Sequence, residues 1–139
     1  MVNLIQGGNI VSLALSHQIN VVAHCCNCRA TFTGVSIAIG NQWPKSVLFD
    51  NQKFLDYEGN YLGTILSVHF RDETVTVVNC YTQLLSGSNH NKSAFTNAMI
   101  TLEREYGRRR MRIGIAELTA EEIDILRNIF TDSDINVII

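Results

Sequence analysis

The chain has 139 residues, of which 46% are hydrophobic and 17% are charged, and its formal net charge is −2 at pH 7. A chain of this length buries about two-thirds of its unfolded-state surface and needs no disulfide to hold its core. The slightly acidic balance argues against nucleic acid as the main partner, and no apolar run approaches the ~20 residues of a membrane span. We therefore expect one soluble domain over residues 1–139 that does not enter a membrane.

Residues 1–16 and the cysteines indicate the compartment. Residues 1–16 lack the basic start and the continuous apolar stretch of a secretory signal, which predicts a cytoplasmic protein with reduced thiols. Cys25, Cys26 and Cys28 follow His24, but a closed zinc site requires two ligand pairs, and the sequence has no second pair. We therefore expect small buried side chains at these positions, with no metal and no cofactor.

Segments rich in valine and isoleucine alternate with helical segments along the chain. Strands are predicted over residues 2–6, 20–26, 62–70, 74–81, 111–116 and 135–139, and helices over about residues 34–42, 92–106 and 120–130. The short polar linker Arg71-Asp72-Glu73 predicts an antiparallel hairpin between the third and fourth strands. This order predicts an α/β sandwich with a mixed sheet, whose ligands bind at the carboxyl ends of the strands.

Two of the predicted helices carry end signals. Gly107 stands where the C-terminal cap of the second helix belongs. The third helix opens with Thr119 and Glu122 at the spacing of a capping box, in which each side chain accepts a hydrogen bond from a backbone N–H group.

The stretch between the second strand and the first predicted helix is the most informative for function. An apolar run ends in Asn27, and the small-residue loop Thr33-Gly34-Val35-Ser36 then opens the helix. Backbone N–H groups in such a loop can approach an anion, and the positive end of the helix dipole adds to the attraction. This layout is typical of a phosphate-binding turn. An ordinary strand-to-helix connection is the alternative, because the loop has only one glycine.

Short motifs in the first two-thirds of the chain carry a resemblance to a known family. In chain order they are Gly8-Asn9-Ile10, His24-Cys25-Cys26-Asn27-Cys28, Trp43-Pro44 and Tyr81-Thr82-Gln83. This order resembles the macro domain family, and most nearly its branch of small stand-alone ADP-ribose 1''-phosphate phosphatases. The resemblance implies a single three-layer α/β domain, with a mixed sheet flanked by helices, that binds ADP-ribose or a related nucleotide.

The resemblance also assigns ligand contacts to individual residues. It places Asn27 at the distal ribose, where an amide both donates to and accepts from a diol; a turn asparagine bonded to its own backbone is the alternative. It places Asn9 and Ile10 at the adenine. The family's usual aspartate accepts a bond from the adenine amino group, and an asparagine carbonyl accepts that bond without charge assistance. Tyr81-Thr82-Gln83 would line the distal side of the cleft, with ordinary strand packing as the alternative.

His24 is the candidate for catalysis. Its ordinary pKa near neutrality suits a general acid or base, and the branch that the chain resembles has a histidine at this place. If the chain hydrolyses a terminal phosphate, His24→Ala is expected to lower kcat by about 10²–10⁴-fold. His17 and His90 are expected to be dispensable. A satisfied, semi-buried histidine is the alternative interpretation.

Two loops depart from the family pattern. The first keeps only Gly34, so Val35 or Ser36 is expected to take a backbone conformation that glycine usually supplies, at a cost of roughly 1–3 kcal/mol if φ is positive. In place of the second glycine-rich loop the chain has Ala116 and Glu117. Unless it points away, that carboxylate opposes a diphosphate by around 1 kcal/mol or more. ADP-ribose is therefore expected to bind weakly, and Glu117→Gly is expected to tighten binding.

Three functions are compatible with this sequence. The first is binding of an ADP-ribose-type nucleotide with hydrolysis of a terminal phosphate or ester, although no pair of carboxylates or nucleophile–base couple is evident. The second is a non-catalytic protein that captures a nucleotide signal. The third is a degenerate macro domain used for protein contacts. The altered loops favour the second and third, turnover of ADP-ribose 1''-phosphate separates the first from the second, and a nucleotide titration separates both from the third.

Overall fold

The computed structural model describes residues 1–85 and 91–139, so His90 lies outside the described residues. Within them, six strands form one sheet in the order β1-β6-β5-β2-β4-β3. All neighbouring strands are parallel except β3 and β4, which are antiparallel. The strands are β1 (Val2–Ile5), β2 (Val21–Asn27), β3 (Ile65–Phe70), β4 (Val75–Gln83), β5 (Ile113–Ala116) and β6 (Ile135–Ile138).

Helices cover both faces of this sheet. They are α1 (Ile10–Leu15), α2 (Val35–Gln42), α3 (Pro44–Tyr57), α4 (Lys92–Leu102) and α5 (Ala120–Ile129). Alternate residues of β2 face opposite cores, because side chains along a strand point to opposite faces. Val21 and Ala23 pack with α4 and α5, whereas Val22 packs with α1 and α2. The expected three-layer α/β fold with a mixed sheet is confirmed.

The hairpin between β3 and β4 is confirmed. Ile65 pairs with Cys80 and Phe70 with Val75 in an antiparallel register. The linker forms one 3₁₀ turn, Arg71–Glu73, between the two strands. The capping box of α5 is confirmed as well: Thr119 and Glu122 exchange backbone-to-side-chain hydrogen bonds of 2.8 and 3.2 Å.

Gly107 does not cap a helix, which corrects the sequence prediction. After Leu102, the chain continues as a π-helix, Glu103–Gly107, before it reaches β5. Gly107 has no positive φ, but a Cβ atom there would stand 2.8 Å from the Ser133 hydroxyl oxygen. The glycine is therefore required by the close approach of the segment before β6.

Two helices were not predicted, α1 and α3. The short α1 begins at its N-cap Asn9, whose side chain accepts the N–H of Ser12. The longer α3 begins at Pro44, a residue suited to the first helical position because it lacks an N–H, and ends at Glu58 in the left-handed conformation. Among residues 1–85 and 91–139, no helix has the length and apolar character needed to cross a bilayer.

Candidate functional site

A cavity of about 370 Å³ opens at the carboxyl edge of the sheet, between the starts of α1 and α2. Five residues expected from the sequence line it, namely Asn9, Ile10, Val35, Ala116 and Glu117. Six further lining residues were not anticipated: Gly8, Val11, Ala38, Leu118, Ile138 and Ile139. The parallel pairing of β5 with β6 explains the last two, because it brings the ends of both strands to one edge.

Asn9 lines this cleft at the start of α1. It is exposed, and its Oδ1 accepts a 3.1 Å hydrogen bond from the Ser12 N–H as the N-cap of α1. A carbonyl oxygen has two lone pairs, so this cap leaves one acceptor position and the amide NH₂ for a ligand. Ile10 behind it is buried in the core below the cleft.

Glu117 lines the cleft in the loop after β5 and contacts the start of α2. Its carboxylate Oε1 accepts a 3.0 Å hydrogen bond from the Val35 backbone N–H. The N-cap residue Gly34 has no side chain with which to cap the helix. The negative carboxylate therefore lies at the positive end of α2, where an anion is favoured.

Positive φ angles in these loops fall on residues other than those expected. Val35 and Ser36 have ordinary backbone angles, whereas Gly34 has φ +57° and Glu117 has φ +60°. This corrects the expectation of strain at Val35 or Ser36: the single glycine supplies the unusual conformation of the first loop. In the second loop Glu117 adopts a left-handed conformation that glycine would adopt without strain.

His24 lies beneath the first turn of α2 and is completely buried. Its Nε2 is 2.6 Å from Oδ1 of Asn79, and its Nδ1 is 2.7 Å from Oγ of Ser36. The Asn79 amide nitrogen donates to the Ser46 carbonyl, so its oxygen faces His24 and accepts the Nε2–H. Nδ1 is then the acceptor of the Ser36 hydroxyl. Burial lowers the pKa of His24 to about 4, so the ring is neutral at physiological pH.

Asn79 joins His24 to a second buried polar group under α3. Tyr81 is fully buried, and its hydroxyl donates a 2.7 Å hydrogen bond to Asp50. Burial raises the pKa of Asp50, with the Tyr81 hydrogen bond and the nearby Lys53 opposing that rise. The Lys53 ammonium lies 4.8 Å above the Tyr81 ring, a cation–π distance.

Asn27 is buried at the end of β2, and its side chain is bonded to the adjacent loop. Its Oδ1 accepts the Arg29 N–H at 2.9 Å, and its Nδ2 donates to the Thr31 carbonyl at 2.6 Å. These are the local backbone bonds of a turn asparagine. They fix the start of the loop that leads to α2.

The remaining candidates occupy three different environments. Thr33 and Gly34 are exposed in the first loop, and Thr33 accepts the Ser36 N–H through its carbonyl. Tyr81 faces α3, as described above. Thr82 and Gln83 are buried at the end of β4. None of these five residues lines the 370 Å³ cavity.

The cysteines are free thiols that lie within or beside β2 and β4. Burial raises the pKa of Cys25 to about 12, with the neighbouring Glu122 adding to the rise. Burial also raises the pKa of Cys26 and of Cys80 well above the ordinary value. These thiols are therefore protonated, and a protonated thiol is a poor nucleophile and a poor metal ligand.

Comparisons with known proteins identify the fold. No protein-family model matches the chain, and no curated protein matches it. Solved structures do. A macrodomain protein from Streptomyces coelicolor superposes with a TM-score of 0.83 at 16% identity, over 100% of this chain and 99% of the other.

Two further solved structures superpose on the chain. The macrodomain of Thermus aquaticus DarG has a TM-score of 0.75 at 12% identity, over 100% of this chain and 98% of the other. Thermosipho africanus DarTG, solved in complex with ADP-ribose, has a TM-score of 0.73 at 9% identity, over 98% of this chain and 41% of the other. The chain therefore has the macrodomain fold.

Proposed function

We propose that this protein binds ADP-ribose or a related nucleotide derivative in the cleft at the carboxyl edge of the sheet. The observation that carries the proposal is the position of the cleft, between Asn9 at the start of α1 and the N-terminus of α2 at Val35. An adenine can accept and donate hydrogen bonds at Asn9, and a diphosphate can take the anion position at the start of α2 when it displaces the Glu117 carboxylate from the Val35 N–H. The ADP-ribose complex of a protein with this fold, Thermosipho africanus DarTG, supports the choice of ligand.

Binding without hydrolysis is the form of this function that the geometry favours. Hydrolysis of a terminal phosphate or ester, as in the ADP-ribose 1''-phosphate phosphatases, needs an acid–base group that reaches the ligand. His24 has no exposed surface, and both its ring nitrogens are bonded to Ser36 and Asn79. We propose that His24 holds α2 against the sheet in a nucleotide-binding protein. The four free thiols, three of them buried, also support a reducing, cytoplasmic location.

Calorimetric titration with ADP-ribose tests the proposal. The wild type is expected to bind, and Asn9→Ser is expected to weaken binding by roughly 5- to 15-fold, the scale of one hydrogen bond. Serine keeps an oxygen for the N-cap of α1 but is too short to reach an adenine. The matched control is Asn51→Ala, at an exposed position of α3, which is expected to bind as the wild type does.

Two results would contradict parts of the proposal. Absence of a heat signal with both millimolar ADP-ribose and millimolar adenosine would remove nucleotide binding and leave protein contacts as the function. Release of phosphate from ADP-ribose 1''-phosphate by the wild type, lost in His24→Ala, would establish the phosphatase activity in place of binding alone.

A further inference from the structure

The start of α2 already has an anion bound to it, supplied by the chain itself. Glu117 lies 82 residues further along the sequence than Val35, yet its Oε1 accepts the Val35 N–H at 3.0 Å. The first turn of α2 contains no acidic residue, and Gly34 contributes no capping side chain. The Glu117 carboxylate is therefore the group that satisfies this N–H and the positive end of the helix dipole.

The carboxylate fills the space that a phosphate would need in order to reach the same backbone. A Cβ atom built on Gly34 would stand only 2.6 Å from Oε2 of Glu117. The carboxylate thus lies directly over the glycine, on the side where the Val35 N–H points. A ligand phosphate and this carboxylate cannot both occupy that place, because they would overlap and both are negative.

Glu117 lies between two fixed elements of the backbone. Ala116 ends β5 just before it, and Thr119 begins the capping box of α5 two residues after it. Between these fixed points Glu117 has φ +60°, a conformation that is costly for a residue with a side chain. Residues that fixed neighbours hold in a strained backbone conformation are often found at functional sites.

We propose that Glu117 is a specificity-determining residue, whose carboxylate occupies the anion position at the start of α2 and selects against ligands that place a phosphate there. This inference rests on the proposed nucleotide-binding function. A diphosphate ligand binds at α2 only by displacing Glu117 from the Val35 N–H. A nucleoside without phosphates binds the rest of the cleft, from Asn9 to Ala116, with the carboxylate in place.

The test compares ADP-ribose with adenosine on three proteins: wild type, Glu117→Gln and Glu117→Gly. Glutamine keeps an oxygen for the Val35 N–H but removes the charge, and glycine empties the position and suits φ +60°. We expect ADP-ribose to bind about tenfold more tightly to Glu117→Gln, and more tightly still to Glu117→Gly. Adenosine affinity is expected to change less than twofold. Glu105→Gln, which removes an exposed charge from the π-helix, is the matched control and is expected to leave both affinities unchanged.

A second measurement tests the anion position without a nucleotide. Pyrophosphate is titrated while the ¹⁵N–¹H resonance of Val35 is followed. The resonance is expected to move in Glu117→Gly at millimolar pyrophosphate and to stay in place in the wild type.

The outcomes separate this inference from the proposed function. ADP-ribose affinities that are equal in wild type, Glu117→Gln and Glu117→Gly would overturn the inference and leave nucleotide binding standing. Absence of ADP-ribose and adenosine binding in all three proteins would overturn the proposed function. The pyrophosphate titration would then still test whether Glu117 occupies the anion position. If the Val35 resonance moves as far in the wild type as in Glu117→Gly, Glu117 does not occupy that position.

Discussion

Ser36 in the first turn of α2 and His24 in the centre of β2 are joined by a hydrogen bond of 2.7 Å between the serine Oγ and the histidine Nδ1. On its other side, the same turn is held by the bond from the Val35 N–H to Glu117. The start of α2 is therefore fixed from below by the sheet and from the cleft by the loop after β5. The bond from the Ser36 hydroxyl requires the neutral form of His24, in which Nδ1 is an acceptor.

The neutral state of His24 predicts a loss of stability in mild acid. Its pKa is lowered from 6.5 to about 4 by burial, so below pH 6.5 the unfolded chain takes up a proton that the folded chain does not. The contribution of neutral His24 to the free energy of unfolding is fully present above pH 6.5. It is lost progressively as the pH falls towards 4. We expect the free energy of unfolding, measured in urea, to fall by about 2 kcal/mol from this group between pH 7.5 and pH 5.

Variants at two histidines isolate that contribution. In His24→Gln the difference between pH 7.5 and pH 5 is expected to shrink by about 2 kcal/mol, because the carboxyl groups titrate in both proteins. His17 is exposed with φ +61°, so His17→Asn, which tolerates that conformation, is the control and is expected to keep the wild-type difference. An unchanged pH dependence in His24→Gln would show that burial does not lower the pKa of His24 in the folded state.

Gly34 is expected to be sensitive to a single added methyl group. Its φ of +57° and ψ of −135° lie outside the regions open to other residues, and the new Cβ would meet Oε2 of Glu117 at 2.6 Å. Gly34→Ala is expected to lower the free energy of unfolding by about 1–3 kcal/mol and to displace the Glu117 carboxylate. In the background Glu117→Gly the same substitution is expected to cost less, because only the backbone strain remains. Equal costs in both backgrounds, from urea unfolding, would place Glu117 away from Gly34.

Most of the fold could be predicted from the sequence, and the failure to predict α3, one of the two helices that were missed, has a physical reason. The strands and three helices show ordinary patterns of valine, isoleucine and apolar stripes. In α3 the pattern is inverted: Ser46 and Asp50 are buried, whereas Leu48 and Leu55 are exposed. Its inner face is polar because Asp50 bonds to Tyr81 there, so hydrophobic periodicity gave no signal.

Less of the candidate site could be predicted from the sequence, because the contacts that define it join distant parts of the chain. Glu117 was expected near a phosphate loop, but its bond to Val35 spans 82 residues and depends on the path of the backbone after β5. The resemblance pointed to His24 and Asn27 by position alone. Which way each side chain faces depends on where β2 ends, and β2 continues one residue beyond its predicted end at Cys26.

Asn27 is expected to contribute to stability through its two backbone bonds. Asn27→Ala removes the acceptor for the Arg29 N–H and the donor to the Thr31 carbonyl, both in a partly buried setting. We expect a loss of about 1–3 kcal/mol in the free energy of unfolding, and weaker ADP-ribose binding by the folded protein. Urea unfolding and calorimetry measure the two effects separately. A variant of wild-type stability with weakened binding would assign Asn27 to the ligand alone.

Tyr81 and Tyr61 form a matched pair for testing the buried polar group under α3. Their rings meet edge to face with centroids 4.6 Å apart. The Tyr81 hydroxyl donates to Asp50, whereas the Tyr61 hydroxyl is buried with no hydrogen-bond partner among the described residues. Tyr81→Phe is expected to cost about 1–3 kcal/mol at pH 7, because Asp50 loses its donor, and Tyr61→Phe is expected to be close to neutral.

The pH dependence of the Tyr81→Phe effect adds a second check. Burial raises the pKa of Asp50 in the folded protein, so its contribution to stability is greatest at low pH and is lost as the pH rises through that pKa. Without the Tyr81 hydroxyl, which stabilises the carboxylate, the pKa rises further. The destabilisation by Tyr81→Phe is therefore expected to be larger at pH 7 than at about pH 4, near the ordinary aspartate pKa, in urea unfolding. Equal losses at the two pH values, or a loss in Tyr61→Phe as large as in Tyr81→Phe, would show that the Tyr81–Asp50 bond does not stabilise the ionised carboxylate.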